Sequence, residues 1–171
     1  MTTGTTIGTT EPLRLRHEVK HQLSPQEDLV LASRLRKLFP RDGHAGPDGS
    51  YGERPGFLKL EKKFKVNGLC GKRSAHLTLE EAERLLSGED AFLLERGEPL
   101  LSELYHKLHG TLLRPRTVVC YDREAFLYAP GNVRVTLDRN LRTCRDSAGF
   151  LSPGLFPLKP LDALTVLEVK Y

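Results

Sequence analysis

The sequence predicts an α+β fold in which antiparallel strands pack against helices. Two capping boxes mark the starts of helices, Ser24 with Glu27 and Thr78 with Glu81. In the C-terminal third of the chain the apolar residues instead recur at every second position, which is typical of strands. Pro130-Gly131-Asn132 separates two of these segments and favours a hairpin turn, so the two strands should run antiparallel.

The N-terminal part is predicted to begin with a strand over residues 13–22. The helix that follows Ser24 ends at Pro40, because proline cannot continue a helix. Its apolar side consists of Leu29, Leu31, Leu35 and Leu38. Residues 41–56 contain many glycines and prolines without a hydrophobic period, which indicates a turn-rich loop. Residues 57–66 are predicted to form the second strand.

The middle of the chain is predicted to be mostly helical. A loop around Asn67-Gly68 leads to the helix that starts after Thr78, and Gly88 ends that helix. A further helical stretch covers residues 89–109 and is interrupted near residues 97–99. Three more strands are predicted over residues 117–129, 132–141 and 163–171.

The composition is that of one globular domain. The chain has 171 residues, of which 39% are hydrophobic and 28% charged, enough for one real core. No apolar run approaches the roughly 20 residues that cross a bilayer. Residues 1–12 are threonine-rich and lack the basic and apolar regions of a signal peptide. We therefore expect a flexible tail over residues 1–12, a domain over residues 13–171 and a cytoplasmic protein.

The cysteines and the net charge narrow the function classes. Cys70, Cys120 and Cys144 are widely spaced and include no CxxC pair, so neither a disulfide framework nor a zinc site is predicted. The net charge of +4 is compatible with an anionic partner. Aromatic residues do not alternate with basic ones and tryptophan is absent, so we do not expect a nucleic-acid partner.

Several predicted strands have one face that is charged. Successive side chains of a strand point to opposite faces, so residues two apart lie together. The charged sets are Lys59, Glu61, Lys63 and Lys65; Glu18 and Lys20; Tyr121 and Arg123; Arg134, Thr136 and Asp138; and Glu168 and Lys170. The sets opposite three of them are apolar: Leu58, Leu60 and Phe64; Val133, Val135 and Leu137; and Leu167, Val169 and Tyr171.

Spacing alone leaves two interpretations of the charged faces open. The faces could meet solvent, where lysines on an edge strand prevent pairing with other chains. Alternatively, they could line a polar cavity inside a curled sheet.

Four parts of the chain match the motifs of one known family in the same order. They are RHEVKHQLS (residues 16–24), FLKLEKKFKVNGLCGKRSAHLT (57–78), the pair RPRTVVCYDREAFLY and NVRVTLDRNL (114–128 and 132–141), and LEVKY (167–171). They resemble, respectively, the E-x-K opening strand, the lysine-rich segment, the arginine-bearing hairpin and the closing strand of VTC-type polyphosphate polymerase domains. Together they cover most of residues 13–171.

The resemblance implies the triphosphate tunnel (CYTH-like) fold, an antiparallel sheet closed into a barrel with a charged lumen and helices outside. It implies transfer of the γ-phosphate of ATP to a growing polyphosphate chain with Mn²⁺ or Mg²⁺, and a membrane-protein partner. The residues it assigns to phosphate and nucleotide binding are Lys20, Lys63, Lys72, Arg123, Arg134 and Lys170, with Lys63, Arg123 and Arg134 also catalytic. Glu168 and Glu18 are assigned to the metal.

These residue types suit phosphoryl transfer. The nucleophile would be a terminal phosphate oxygen that is already anionic, so positioning and charge stabilisation matter more than a base. Two unit charges about 4 Å apart interact by roughly 4 kcal/mol at an effective dielectric near 20, so several cations are needed to bring two polyanions together. We expect one concave polar surface formed by Lys20, Lys63, Arg123, Arg134, Glu168 and Lys170, opposite a helix-covered face with Leu60, Val135 and Val169.

The chain departs from the family pattern in two places. Between Tyr51 and Pro55 the family has a Tyr-Phe-Asp strand, a helical connection and an Arg-x-Arg strand, and after Tyr171 it has a helix with a serine-lysine motif. An incomplete tunnel predicts a poor enzyme. Two alternatives are therefore a non-catalytic polyanion-binding module and a tunnel-fold triphosphate hydrolase. The single E-x-K opening, without alternating glutamates, argues against the hydrolase.

Overall fold

The computed structural model describes residues 14–40, 42, 58–145, 150–151 and 163–171. Its elements are β1 (Glu18–Leu23), α1 (Pro25–Leu38), β2 (Leu58–Val66), β3 (Leu69–Leu77), α2 (Leu79–Ser87), α3 (Phe92–Glu95), α4 (Pro99–Gly110), β4 (Val118–Tyr128), β5 (Val133–Cys144) and β6 (Thr165–Lys170). The predicted tail over residues 1–12, the loop over 41–56 apart from Asp42, and the departure between Tyr51 and Pro55 lie outside the described residues.

The strands form two antiparallel sheets, which confirms the α+β class. The larger sheet has the order β1-β6-β5-β4, and β2 and β3 form a separate hairpin. Arg16 joins the two, because its backbone N–H and carbonyl both bond to Cys70 of β3, at 3.0 and 2.8 Å. Within the described ranges the sheets do not close into a barrel, since β2 and β4 remain at the two edges.

Both predicted capping boxes are present. Ser24 accepts from the backbone N–H of Glu27 at 3.3 Å, and the Glu27 carboxylate accepts from the Ser24 N–H at 2.8 Å. Thr78 and Glu81 make the same pair of bonds at 3.1 and 2.8 Å. Each box satisfies N–H groups that have no partner within the helix, so it fixes where α1 and α2 begin. Gly88 ends α2 with a φ of 92°, a conformation that glycine adopts without strain.

Strand β3 occupies residues 69–77, which the sequence pattern left without an assignment. Its alternation is weak, because Lys72, Arg73 and Ser74 are consecutive polar residues. Gly71 is required in the middle of the strand: a Cβ there would lie 2.7 Å from the ring of Phe64 and 2.8 Å from Leu15. This close approach explains why the strand contains a glycine. Because glycine has a low strand propensity, the same residue makes β3 hard to predict from the sequence.

Strands β4 and β5 form a hairpin whose register changes once. The predicted turn is confirmed as a 3₁₀ turn over Ala129–Gly131, followed by Asn132 in the left-handed region with a φ of 48°. Farther along β5, Asn140 also has a φ of 48°, and the pairing with β4 shifts between Cys120 and Asp122. The extra residue on β5 is a β-bulge, and asparagine tolerates the left-handed backbone that it requires.

Each sheet buries its apolar side against its own helices. The core of the larger sheet contains Ala32 and Leu35 of α1 with Phe126 and Leu137, and Val135 and Leu167 pack around it. The core of the hairpin contains Ala75, Phe92, Leu93, Leu100 and Leu101, with Leu60 packed against it. The apolar faces predicted for β2 and β5 are therefore the helix-covered ones.

An ion-pair network attaches α1 to three strands. Arg139 of β5 donates to Asp28 of α1 at 2.6 and 2.7 Å and to Glu124 of β4 at 3.0 Å. Arg36 of α1 donates to the same Glu124 at 2.8 and 2.7 Å, and the Thr165 hydroxyl of β6 donates to Asp28 at 3.1 Å. Arg36 lowers the pKa of Glu124 most, and although burial opposes the shift, Arg139 adds to it and the pKa falls to about 2. Arg139 likewise lowers the pKa of Asp28.

This network predicts loss of stability in acid. Because the pKa of Glu124 is depressed in the folded state, its contribution is present above the unfolded value of 4.5 and is lost as the pH falls toward about 2. In urea unfolding at pH 7 and pH 2.5, Glu124→Gln should lower stability at pH 7 and flatten the pH dependence. Glu83→Gln, at an exposed carboxylate of α2, is the control. Parallel pH curves for wild type and Glu124→Gln would contradict this account.

Candidate functional site

The side of the larger sheet that faces away from α1 is charged. Antiparallel pairing places Lys20, Glu168 and Thr136 in one row across β1, β6 and β5. The adjacent row consists of Glu18, Lys170 and Arg134. Cross-strand partners point to the same side of a sheet, so all six side chains share the side opposite Leu137 and Val135.

Two carboxylates and two ammonium groups form a compact cluster within these rows. Lys20 Nζ lies 3.2 Å from Glu18 Oε1 and 3.3 Å from Glu168 Oε1. Lys170 Nζ lies 3.1 Å from Glu168 Oε2 and 3.7 Å from Glu18 Oε2. Each lysine therefore contacts both glutamates. The Lys20 side chain is 60% exposed, so its ammonium group can move to another partner at little cost.

Glu168 is the buried member of this cluster, with 4% of its surface exposed. Burial alone would raise its pKa, but the bond from Lys170 and the charges of Lys170 and Lys20 outweigh burial, and the net shift of the pKa is downward. Burial by itself would lower the pKa of Lys20, but the carboxylates of Glu18 and Glu168 raise it by more, so the net shift of the pKa is upward. Both groups are charged at neutral pH.

Arg123 of β4 is fixed by two neighbours. Its Nε and Nη2 donate to the two carboxylate oxygens of Asp138, each at 2.6 Å. Its guanidinium carbon also lies 4.8 Å from the centre of the Tyr121 ring, within the range of a cation–π contact. The bidentate bond to Asp138 raises the pKa of Arg123, against the effect of burial. Two of the guanidinium nitrogens are thus committed to Asp138.

Arg134 of β5 is held from the edge of the sheet. Its Nη2 lies 3.0 Å from Asp42 Oδ2. Asp42 is placed there by the backbone: its N–H donates to the Ala125 carbonyl at 2.9 Å, and the Leu127 N–H donates to the Pro40 carbonyl at 3.2 Å. The segment after α1 therefore runs along the outer edge of β4 and brings a carboxylate to Arg134.

The charged side of the β2–β3 hairpin carries further lysines. Lys63 and Lys72 are cross-strand partners, and Lys72 Nζ lies 2.7 Å from Glu61 Oε1. The Lys72 bond lowers the pKa of Glu61 most, against the effect of burial. In the part of the chain that the structure describes, Lys63 has no carboxylate within ion-pair distance, unlike Lys20, Lys72, Arg123, Arg134 and Lys170.

The pairing of Arg16 with Cys70 decides how the two charged sides relate. Arg16 shares its side of the N-terminal strand with Glu18 and Lys20, because the residues are two apart. Cys70 shares its side of β3 with Lys72, and paired residues point to the same side. Leu15, one residue before Arg16, lies over Gly71 and Phe64 on the opposite, apolar side, as this alternation requires. The charged sides are therefore continuous across the junction.

All the site residues proposed from the sequence lie on this common charged side. Glu18, Lys20, Arg123, Arg134, Glu168 and Lys170 are on the larger sheet, and Lys63 and Lys72 are on the hairpin. Leu60 and Val135 pack on the helix side, and Val169 is the cross-strand partner of Val135.

Sequence reasoning missed the carboxylates that hold the two arginines. The sequence pattern placed Asp138 in the charged set on β5. Its pairing with Arg123 depends on the register between β4 and β5, which cannot be determined from the sequence alone. Asp42 stands in a glycine-rich stretch that predicts a turn, and nothing local connects it with Arg134, which is 92 residues away.

Glu18 and Glu168 are suitable donors for a divalent metal. Magnesium is usually bound by one or two carboxylates together with substrate phosphates. Among the described residues no group of three or more His, Cys, Asp or Glu is arranged around a common point. The donor set is thus two carboxylates, which fits a metal that takes its remaining ligands from phosphate and water.

The fold and the site define an antiparallel, helix-backed domain whose exposed sheet side concentrates lysine and arginine. No helix in the described ranges is long and apolar enough to span a bilayer. The family model named VTC domain matches residues 50–171, more than two thirds of the chain. The chain therefore belongs to the VTC domain family. No curated protein matches the sequence.

The Arg123–Asp138 pair yields a stability prediction. Asp138 is 8% exposed, so Asp138→Ala leaves a half-buried guanidinium without its bidentate partner and should lower the free energy of unfolding by about 1–3 kcal/mol. Asp122→Ala is the matched control, since that carboxylate pairs with Arg142 on the same hairpin but is 41% exposed and should cost less than about 1 kcal/mol. Urea denaturation measures both, and equal losses would show that the buried pair has no special weight.

Proposed function

We propose that this chain is a polyphosphate polymerase-like domain that binds the triphosphate of ATP and a polyphosphate chain against its charged side and transfers the γ-phosphate between them. In this proposal the charged side is the lumen wall of a triphosphate tunnel. The observation that carries the proposal is that six lysines and arginines of both sheets share one side: Lys20, Lys63, Lys72, Arg123, Arg134 and Lys170. Membership of the VTC domain family supports it.

The width of the charged side suits an extended polyanion. Neighbouring strands lie about 4.8 Å apart, so the surface from β2 through Arg16, β1 and β6 to β4 is about 24 Å wide. A single phosphate would use a small part of that width, whereas a linear phosphate chain can contact cations along all of it. Lysines act as point charges along such a path, and arginines can grip individual phosphate oxygens.

The proposed reaction forms one P–O bond and breaks another. A terminal oxygen of polyphosphate attacks the γ-phosphorus of ATP, the bond to the β,γ-bridging oxygen breaks, and ADP leaves with the electron pair. The attacking oxygen is already anionic, so no side chain has to remove a proton. The role of Arg123, Arg134 and Lys63 is to offset the charge of the two polyanions and to hold them in line.

The metal, when bound, would neutralise charge on the phosphate oxygens and polarise the transferring group. Glu168 and Glu18 would hold it. Lys20 and Lys170 now contact these carboxylates, and both ammonium groups can turn to phosphate oxygens instead. The exposed Lys20 side chain makes that exchange easy, whereas the buried Glu168 stays in place.

One observation favours a second candidate, a non-catalytic polyanion-binding module. Within the described residues, five of the six cations already have a carboxylate partner, the exception being Lys63. Paired cations can still attract a polyanion, but they offer less charge to a transition state. The binding experiment below applies to both candidates, and the synthesis experiment separates them.

Binding of tripolyphosphate should depend strongly on salt. A linear polyanion that contacts several cations releases counterions, so the affinity should fall steeply between about 50 and 200 mM salt. Lys63→Glu should weaken binding about ten-fold or more at low salt, because Lys63 is the site cation without a carboxylate partner in the described chain. Isothermal titration calorimetry measures both effects.

The control for that experiment is Lys37→Glu. Lys37 lies in the last turn of α1, on the helix side of the sheet, and the variant has the same net charge as Lys63→Glu. Its affinity should stay within about two-fold of wild type, since the charge is far from the site and screened. Equal weakening by the two variants would mean that net charge, not the charged side, governs binding.

With ATP and Mn²⁺ the purified chain should form long-chain polyphosphate slowly, because Arg123 and Arg134 share their charge with Asp138 and Asp42. Glu168→Gln should abolish the product, whereas Glu83→Gln on α2 should not. Gel electrophoresis resolves the chain lengths. A wild-type chain that binds tripolyphosphate but makes no polyphosphate would establish the non-catalytic candidate in place of the polymerase.

A further inference from the structure

Two buried polar atoms on the charged side have no hydrogen-bond partner in the described structure. They are the Nε of Arg134 and the hydroxyl oxygen of Thr136, two residues apart on β5. Thr136 is 2% exposed. Buried hydroxyl and guanidinium groups are almost always bonded in native proteins, because leaving them unpaired costs stability. Such an exception on a strand at the centre of a sheet requires an explanation.

The cross-strand neighbours of Thr136 do not supply the missing partner. Across the β5–β6 ladder it faces Glu168, but its hydroxyl forms no hydrogen bond with that carboxylate in the described structure. Across the β4–β5 ladder it faces Ala125, which has no polar side-chain atom. The hydroxyl cannot find a partner on the apolar side of β5 either, because Thr136 points away from that side. Packing alone would be served equally well by valine at this position.

We propose that Thr136 is a direct substrate contact, and that its hydroxyl and the Nε of Arg134 donate to the oxygens of one phosphoryl group. This inference rests on the proposed function and gives a role to a residue that the resemblance does not assign to the site and that makes no ion pair. Residues two apart on a strand have Cα atoms about 7 Å from each other and share a face, so a short hydroxyl and a long guanidinium can reach the same group. Lys170, the cross-strand partner of Arg134, adds positive charge beside it.

The chemistry of the two atoms selects an anion. The arginine Nε can donate but not accept, so its missing partner must be an acceptor. A hydroxyl can also donate, and a phosphoryl oxygen accepts from both. The positive charges of Arg134 and Lys170, which are cross-strand partners, favour an anion beside the arginine Nε. Charge-assisted bonds to an anion are about twice as strong as neutral ones, which can offset the cost of keeping the two donors unpaired in the free protein.

Three variants test the inference, with sodium tripolyphosphate in metal-free buffer as the probe. Thr136→Val keeps the shape and removes the hydroxyl, and Thr136→Ser keeps the hydroxyl. Thr165→Val is the matched control: Thr165 is also buried, 5% exposed, but lies on the opposite side and donates to Asp28. Calorimetric titration gives the affinity, and thermal unfolding of the ligand-free chain gives the Tm.

We expect Thr136→Val to change the affinity without lowering the Tm, and Thr165→Val to lower the Tm without changing the affinity. Thr136→Val should bind about ten-fold more weakly or worse, the loss of one hydrogen bond to a charged group, with a Tm equal to wild type or up to about 4 °C higher. Thr136→Ser should restore most of the affinity. Thr165→Val should lower the Tm by about 2–4 °C and leave the affinity within about two-fold.

Three results would overturn the inference. Equal affinity of wild type and Thr136→Val would show that the hydroxyl serves water and not the phosphoryl group, while the proposed function would stand. A Tm loss in Thr136→Val as large as in Thr165→Val would show that the hydroxyl has a structural partner. If the wild-type chain does not bind tripolyphosphate at all, the proposed function and this inference both fail.

Discussion

The side-to-side alternation of β5 is the constraint on which the rest of the structure depends. β5 pairs with β4 and β6, and its odd-numbered residues up to Arg139 face α1 while Arg134, Thr136 and Asp138 face the other way. A slip of one residue in either ladder would exchange the two sets and bury the charges against α1. The network around Arg139 opposes such a slip from the helix side, because it connects α1 with β4 and β6 at a single register.

On the opposite side, five of the six proposed site cations are held by a carboxylate within the described residues. Asp138 and Asp42 orient the two arginines, and Glu168 is ionised despite its burial because lysines surround it. Such pairing lowers the net charge of the surface, yet it keeps long side chains ordered before a ligand arrives, which reduces the entropy that binding would otherwise cost. The arrangement favours precise placement of phosphate oxygens over maximal attraction.

Much of this architecture could be predicted from the sequence, for physical reasons that differ between elements. The capping boxes of Ser24 and Thr78 are local, and so they fixed the starts of α1 and α2 without any tertiary information. Alternation showed which residues of β2 and β5 share a side. What could not be predicted depends on contacts between distant segments: strand β3, whose Gly71 is explained by Leu15 and Phe64, and the pairing of Arg134 with Asp42.

The bulge at Asn140 changes which residues face the helix side at the far end of β5. Up to Arg139 odd-numbered residues face α1, but beyond the bulge Arg142 and Cys144 pair with Cys120 and Val118, which lie on that same side. Even-numbered residues therefore take over the helix side. Any comparison with other sequences that extends the alternation through this point by counting will assign the last residues of the strand to the wrong environment. One left-handed asparagine thus gives the two ends of a single strand opposite orientations: an even-numbered residue meets the charged side before the bulge and the helix side after it.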